Sequence, residues 1–286
     1  MEGFLGSSKV LDARQFRILV RRLADSWSYG TDRSPFLGGG VEYAQSRPYE
    51  PGDPVRSIDW RVTARTGEFF VKEYESPKRM PVHLLIDTSA SMTISSIARS
   101  KYETAMFLAG GLALACLDRV SPVGVVGVGT RGLRIQPSLS TTQILEWLLH
   151  LRRFRYDEET RLADRITELT PRLKTRALII VLSDLHDARA LRALKRMAQR
   201  HDCAVLQLQD PAESSLRGAG FIRAREAETG EHFATHGRQQ HLQPEIAQRS
   251  LKQSGIDHLL IRTDRDYVAS VRQFFESRGL LGKMAR

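Results

Sequence analysis

Residues 82–92 have the sequence Val-His-Leu-Leu-Ile-Asp-Thr-Ser-Ala-Ser-Met, in which an apolar run ends at a carboxylate and two hydroxyls. A short apolar run of this kind is typical of a buried strand. Asp87, Ser89 and Ser91 would then lie on the loop at the end of that strand. Because Mg²⁺ prefers oxygen ligands and keeps several waters, these side chains indicate part of a cation site. The same residue types also serve in turns and helix N-caps, which is the structural alternative.

The chain after residue 80 alternates apolar runs with amphipathic segments. This alternation predicts an α/β fold with a doubly wound, mostly parallel sheet and helices on both faces. Strands are expected over 82–86, 123–128, 177–182, 204–208 and 258–261. Helices are expected over 101–117, 142–151, 162–169, 190–200, 244–253 and 266–277. We therefore assign residues 81–286 to one α/β domain.

A second carboxylate, Asp184, follows the third of these expected strands. Sheets of this type bind ligands at the carboxyl ends of their strands, so Asp184 is the natural partner of Asp87. A further oxygen is expected from Thr160, which opens a helix and has an N-cap role as its alternative. Thr141 and Thr142 also begin a helix and are the other candidates for this hydroxyl. Together these oxygens predict a site for Mg²⁺ or another divalent cation such as Mn²⁺.

Residues 1–80 have a different character, and we assign them to an extension packed on the main domain. A helix is expected over 12–26, followed by a loop rich in Gly, Pro and Tyr and a strand-like segment over 69–74. Arginines and carboxylates alternate in this loop and predict bidentate ion pairs that tie it to the adjacent domain: Arg47, Glu50, Asp53, Arg56, Asp59 and Arg65. The run Gly38-Gly39-Gly40 offers a phosphate-binding alternative, but the chain lacks a GxxxxGK[ST] motif.

The composition excludes several classes of protein. Hydrophobic residues make up 41% and charged residues 27% of the 286-residue chain, which is typical of a globular domain. The net charge of +10 favours an acidic partner, yet the basic residues are spread over helix faces without a nucleic-acid-binding motif, so we expect no nucleic-acid ligand. Since no apolar run is long enough to span a bilayer and no signal peptide is visible, we expect a cytoplasmic protein without a membrane span.

These motifs together resemble a bacterial family, the domain of unknown function 58 (DUF58). The segment from Glu42 to Arg65 carries the resemblance together with the Asp-x-Ser-x-Ser loop. Further matching motifs are Ser183-Asp184, Asp210-Pro211-Ala212-Glu213, Glu228-Thr229-Gly230-Glu231 and Thr263-Asp264. The resemblance implies a von Willebrand factor A-like domain of the short soluble type. It also implies a metal-ion-dependent adhesion site formed by Asp87, Ser89, Ser91, Thr160 and Asp184, and a MoxR-type ATPase of the AAA+ class as partner. One departure from the family pattern is His186, which we expect to be a surface loop residue, with a position beside the metal as the alternative.

We therefore expect a non-enzymatic, metal-dependent protein interaction module, in which the metal accepts a carboxylate from the partner. A metal-independent interaction module with a vestigial site is one alternative. A metal-dependent hydrolase is another, but the serines are needed as ligands and His83 is expected to be buried within its strand. Near the motif, the sequence therefore shows no nucleophile paired with a base.

Overall fold

The structure is a computed structural model that describes residues 2–4, 42–75, 80–118, 120–132, 134–151, 153–187, 189–214, 221–225, 232–236 and 244–280. The helix expected over 12–26, the Gly38-Gly39-Gly40 run and the Glu228–Glu231 turn lie outside these residues.

The described strands and helices alternate along most of the chain. The strands are β1 (Glu2–Phe4), β2 (Glu42–Pro48), β3 (Phe70–Glu75), β4 (Val82–Ile86), β5 (Val123–Gly127), β6 (Arg134–Ser138), β7 (Arg153–Arg155), β8 (Leu178–Ser183), β9 (Asp202–Gln209), β10 (Phe221–Arg225), β11 (His232–His236) and β12 (Asp257–Arg262). The α-helices are α1 (Trp60–Thr66), α2 (Ala90–Thr93), α3 (Lys101–Asp118), α4 (Thr141–His150), α5 (Leu162–Leu169), α6 (Ala190–Met197), α7 (Pro211–Ser214), α8 (Pro244–Gln253) and α9 (Val268–Leu280). Short 3₁₀ turns cover Val55–Ser57 and Thr170–Arg172.

Six strands form the central sheet in the order β12-β9-β8-β4-β5-β6. All neighbouring pairs are parallel except β5 and β6, which are antiparallel. The predicted α/β fold with a mostly parallel sheet is therefore confirmed. Because β4 lies between β8 and β5, the loop that follows β4 opens at the centre of the carboxyl edge of the sheet.

Helices cover both faces of this sheet. Successive side chains of a strand point to opposite faces of the sheet. The residues of β4 therefore lie alternately in two hydrophobic cores, one on each face. Leu84 and Ile86 belong to the core that includes residues of α3, α4 and α9, whereas Leu85 belongs to the core that includes residues of α5, α6 and α8. Burial on both faces explains why the strand is an uninterrupted apolar run.

The edge strand β6 was not predicted. Its sequence, Arg-Ile-Gln-Pro-Ser, has no apolar run and contains Pro137, which cannot donate a backbone hydrogen bond to a neighbour. Such a strand is tolerated at the sheet edge, where one side has no partner strand. Of the described helices, not one combines the length and apolar character that a membrane span requires.

Charged residues in and beside the loop between β2 and β3 bind neighbours within that segment. Arg47 binds Asp53 through two hydrogen bonds of 2.8 and 2.7 Å, and this contact holds the pKa of Asp53 below its usual value. Asp59 caps α1 by accepting hydrogen bonds from the amides of Arg61 and Val62. A bidentate pair therefore forms as predicted, but it joins Arg47 to Asp53 six positions away and does not tie the loop to the adjacent domain. The carboxylate of Asp59 caps a helix. The division of the chain at residue 80 stays a prediction.

Candidate metal centre

The two candidate carboxylates lie at the ends of adjacent strands. Ile86 pairs with Leu182 in the β4–β8 register, and the amide of Asp87 donates to the carbonyl of Leu182 at 2.9 Å. Asp87 is 0% exposed and Asp184 is 1% exposed. The strand order therefore places both acidic side chains together in a buried position at the carboxyl edge of the sheet.

Three neighbours bind the carboxylate of Asp87. Its Oδ2 accepts hydrogen bonds from the hydroxyl of Ser183 at 2.6 Å and from the hydroxyl of Thr160 at 3.3 Å. Its Oδ1 accepts one from the amide of Ser89 at 3.1 Å. The structure thus brings Thr160 to Asp87. Thr141 instead begins α4 behind an N-cap formed by Ser140, and it is exposed.

The hydroxyls of the motif are directed at the carboxylates and away from helix capping. Ser89 precedes α2 but its side chain makes no capping hydrogen bond. Its hydroxyl lies 3.1 Å from that of Ser91, which in turn donates to Asp184. Thr160 does not cap α5 either, because Asp187 accepts the hydrogen bond from the amide of Ala163 in the first turn. The predicted site residues Asp87, Ser89, Ser91, Thr160 and Asp184 therefore form one connected cluster of oxygen atoms.

The electrostatics of the cluster favour a cation beside Asp87. Burial and the charge of Asp184 raise the pKa of Asp87 to about 6. Burial also opposes ionisation of Asp184, but the charges of Lys101 and His186 outweigh it and lower the pKa of that carboxyl. The ammonium of Lys101 thus compensates the charge of Asp184, whereas Asp87 is bound by two hydroxyls and an amide and forms no ion pair within the described part of the chain.

Lys101 is a member of the cluster that the sequence reasoning missed. Its side chain is 0% exposed, and its Nζ donates to Oδ2 of Asp184 at 2.8 Å and to Oε1 of Glu213. Burial would lower the pKa of this lysine, but the two carboxylates raise it, so the ammonium stays protonated. The signal in the sequence is a lysine in the first turn of a helix that is apolar from Ala105 to Leu117, at an end where the helix dipole disfavours positive charge.

The Asp210–Glu213 motif holds the loop that follows α2. Asp210 accepts hydrogen bonds from the amide of Ser96 at 2.9 Å and from the hydroxyls of Ser95 and Ser96. Oε2 of Glu213 accepts a hydrogen bond from the amide of Asp210 at 3.1 Å. The end of β9 therefore supports the candidate site from one side and supplies the second partner of Lys101.

His186 is a partly exposed loop residue, as expected, and its imidazole also contacts the candidate site. Its side chain is 30% exposed, and its Nδ1 lies 3.2 Å from Oδ2 of Asp184. Asp184, His186 and Glu213 offer ligand atoms within 4.8 Å of one another. The ammonium of Lys101 already contacts both of these carboxylates, so this group is compensated without a metal.

Glu158 supports the motif loop from the other side, and sequence reasoning missed it as well. It is 1% exposed and accepts hydrogen bonds from the hydroxyl of Thr88 at 2.9 Å and from Nε of Arg131 at 2.7 Å. Its carbonyl accepts the amide of Ala90 at 2.7 Å. Gly129 packs against this network, because a Cβ there would lie 2.0 Å from Oε1 of Glu158 and 2.4 Å from Oγ1 of Thr88.

A known protein family matches most of the chain. The model of a family described as "Protein of unknown function DUF58" matches residues 45–255.

Similar proteins occur in mycobacteria. The uncharacterized protein Rv1480 of Mycobacterium tuberculosis (strain H37Rv) is 25% identical over 282 residues, which cover 93% of this chain and 88% of that protein. The uncharacterized protein Mb1516 of Mycobacterium bovis matches with the same values. Among solved structures, the conserved hypothetical protein BatB from Bacteroides thetaiotaomicron is 18% identical with a TM-score of 0.48, and the match covers 70% of this chain and 99% of BatB.

Proposed function

This chain belongs to the DUF58 family, and we propose that it acts there as a non-enzymatic, metal-dependent protein interaction module of the von Willebrand factor A type. One observation carries the proposal. Two buried carboxylates and three hydroxyls, contributed by the ends of β4 and β8 and the start of α5, meet at one edge of the sheet. Oxygen donors in this number suit a hard divalent cation that retains waters.

The residues fit Mg²⁺ or Mn²⁺. Asp87, Ser89, Ser91 and Thr160 would hold the ion together with Asp184. The raised pKa of Asp87 supports this assignment, because a cation would compensate the charge that burial and Asp184 make unfavourable. When bound, the metal supplies an open coordination position, which a carboxylate of a partner protein can take.

The partner we propose is an acidic protein, specifically a MoxR-type ATPase of the AAA+ class in a chaperone-like assembly. The sequence motifs shared with the DUF58 family support this choice. The net charge of +10 also supports an acidic partner, because it would steer such a surface toward the chain. Salt should slow this association, since charges farther apart than about 8 Å are screened at physiological ionic strength.

A hydrolytic role is disfavoured because the basic side chains near the motif are poorly suited to activate a nucleophile. Lys101 has a raised pKa and is therefore an ammonium that cannot accept a proton. His83 is 3% exposed on β4, and its burial lowers its pKa to about 4. The imidazole of His186 pairs with Asp184, but the motif serines are directed at each other and at the carboxylates and not at this imidazole, so no activated nucleophile is formed by them. We therefore propose binding without turnover.

Mg²⁺ is expected to stabilise the protein against unfolding, and Asp87→Asn should abolish this effect. Binding to the folded state alone raises the free energy of unfolding by about 2.7 kcal/mol when the ion is 100-fold above its Kd. Thermal unfolding with Mg²⁺ or with EDTA, at matched ionic strength, measures the difference. Glu146→Gln is the matched control, because it removes a carboxylate from an exposed position on α4. An equal Mg²⁺ shift in both variants would contradict the assigned ligands.

Recovery of the ATPase partner on the immobilised protein is expected to require the metal. We expect Mg²⁺ to support recovery and both EDTA and Asp87→Asn to reduce it severalfold, since the bridging coordination bond is then lost. The experiment uses the full chain and a purified MoxR-type ATPase, with Glu146→Gln as control. Recovery that is unaffected by EDTA would contradict a metal-bridged interface. Metal-dependent hydrolysis abolished by Asp87→Asn would contradict a binding role.

One observation favours a second candidate, a metal-independent interaction module. The ammonium of Lys101 already neutralises Asp184, so part of the charge that a metal would compensate is balanced by the protein itself. In this case the folded domain needs no ion, and Mg²⁺ should leave both the unfolding temperature and partner recovery unchanged. Thermal unfolding with Mg²⁺ or EDTA and recovery of the ATPase partner therefore distinguish the two candidate functions.

A further inference from the structure

Three arginines converge on a cavity of about 220 Å³ beside the antiparallel edge of the sheet. Arg134 comes from β6, Arg165 from α5 and Arg172 from the 3₁₀ turn that follows α5. Val126 and Leu169 contribute apolar surface, and Glu168 is the one acidic residue among the lining residues. We call this feature the arginine cavity. It lies outside the candidate metal centre and carries three positive charges against one negative charge.

The positive charges in the arginine cavity are incompletely balanced. Glu168 binds Arg165 at 3.0 Å, but the carboxylate side chain is 53% exposed and pairs with one guanidinium. Neither Arg134 nor Arg172 forms an ion pair within the described part of the chain. Burial and the charge of Arg172 lower the pKa of Arg134, which means that the two guanidinium groups repel each other. An anion between them would relieve this repulsion.

Two contacts hold Arg165 in the wall of the arginine cavity. Its Nε is buried and has no hydrogen-bond partner among the described residues, while its Nη1 and Nη2 bind Glu168 and the carbonyl of Gly129. Because Nε is buried, it is not the part of Arg165 that a ligand would contact. The exposed part of the side chain, 18% of its surface, is available to a ligand in the arginine cavity together with the neighbouring guanidinium groups.

We propose that the arginine cavity binds a phosphate dianion, supplied either as inorganic phosphate or as a phosphorylated side chain. The planar fork of a guanidinium group matches phosphate oxygens through paired hydrogen bonds, and three such groups surround the space. The volume corresponds to about seven waters, so a phosphate group fits with part of its hydration. Glu168 opposes the anion, because it competes for Arg165 and adds a negative charge.

Phosphate binding is expected to depend on the cavity arginines and to improve without Glu168. Isothermal titration of the full-length protein with inorganic phosphate, at constant ionic strength set with chloride, gives the affinity. Arg172→Gln should weaken binding about tenfold, because a charge-assisted hydrogen bond is lost. Glu168→Gln should strengthen binding severalfold. Arg196→Gln on α6 removes the same charge from an exposed site elsewhere and should change the affinity less than about twofold.

A second titration separates the two sources of phosphate. A peptide carrying phosphoserine is compared with its unphosphorylated form and with inorganic phosphate. Tighter binding of the phosphopeptide identifies a phosphorylated partner as the ligand source, and tighter binding of inorganic phosphate identifies the free ion. Circular dichroism spectra that match the wild type show that the variants fold. Absence of phosphate binding by the wild type, or equal losses in Arg172→Gln and Arg196→Gln, would overturn the proposal.

Discussion

Lys101→Met is expected to lower the free energy of unfolding by about 3–5 kcal/mol, the usual cost of breaking a buried ion pair. Methionine keeps most of the volume of the side chain, so the loss reports mainly on charge. Without the ammonium, the buried carboxylate of Asp184 loses its ion pair and is repelled by the nearby charge of Asp87. Urea-induced unfolding of the two proteins measures the difference. Lys252→Met, at an exposed position on α8, is the matched control and should stay within about 0.5 kcal/mol of the wild type.

The same variant also tests the link between Lys101 and Asp184. In the Lys101→Met background, Asp184→Asn removes the unpaired charge and should recover part of the lost stability, with a coupling free energy of about 0.5–3 kcal/mol. If Mg²⁺ binds as proposed, it should also stabilise Lys101→Met more than the wild type, because Asp184 is then a stronger ligand. A loss below about 1 kcal/mol for Lys101→Met would mean that the ion pair is effectively solvated.

Gly129→Ala is expected to cost about 3 kcal/mol of unfolding free energy, because the added Cβ enters occupied space. It would lie 2.0 Å from a carboxylate oxygen of Glu158 and 2.4 Å from the hydroxyl of Thr88. Both groups are buried and hydrogen-bonded to each other, so moving them combines overpacking with lost hydrogen bonds. Chemical denaturation gives the change in stability.

Gly132→Ala is the matched control for Gly129→Ala. A Cβ at Gly132 would meet one atom, Nη2 of Arg165, at an ordinary contact distance of 3.7 Å. Its stability should therefore stay within about 0.5 kcal/mol of the wild type. Because Glu158 also binds the amide of Ala90, we further expect Gly129→Ala to reduce the Mg²⁺-dependent stabilisation. Equal stabilities of the two alanine variants would contradict a tight packing role for Gly129.

The positions of Asp87 and Asp184 could be predicted from the sequence because each follows an apolar run. A buried strand of a parallel sheet has a strong local pattern, and the carboxyl ends of such strands lie at one edge by topology. The strands β4 and β8 match their predicted ranges within one residue. The pattern was weaker for β6, because a half-exposed edge strand that contains a proline has neither an apolar run nor a regular alternation.

The partners of these carboxylates could not be predicted in the same way. Ser183 and Lys101 lie 96 and 14 positions from Asp87, and Glu158, which supports the motif loop, lies 70 positions from its partner Thr88. These contacts form only when α3 and the segment before α5 pack against the sheet. From sequence, a lysine at the start of a helix is predicted to be exposed, because lysine is rarely buried without a partner and the partner is not visible in the sequence. Its partners, Asp184 and Glu213, lie at the ends of two other strands.

Local patterns in the sequence are sufficient to predict the α/β architecture, the strand that bears the Asp-x-Ser-x-Ser loop and the edge of the sheet where the acidic residues meet. These properties follow from local periodicity and from the direction of parallel strands. The folded arrangement was needed to see which hydroxyls bind Asp87, that Lys101 pairs with Asp184, and that three arginines from different elements line one cavity. Such contacts depend on the packing of helices onto the sheet, because burial and nearby charge are properties of the folded arrangement and are absent from any short stretch of the chain.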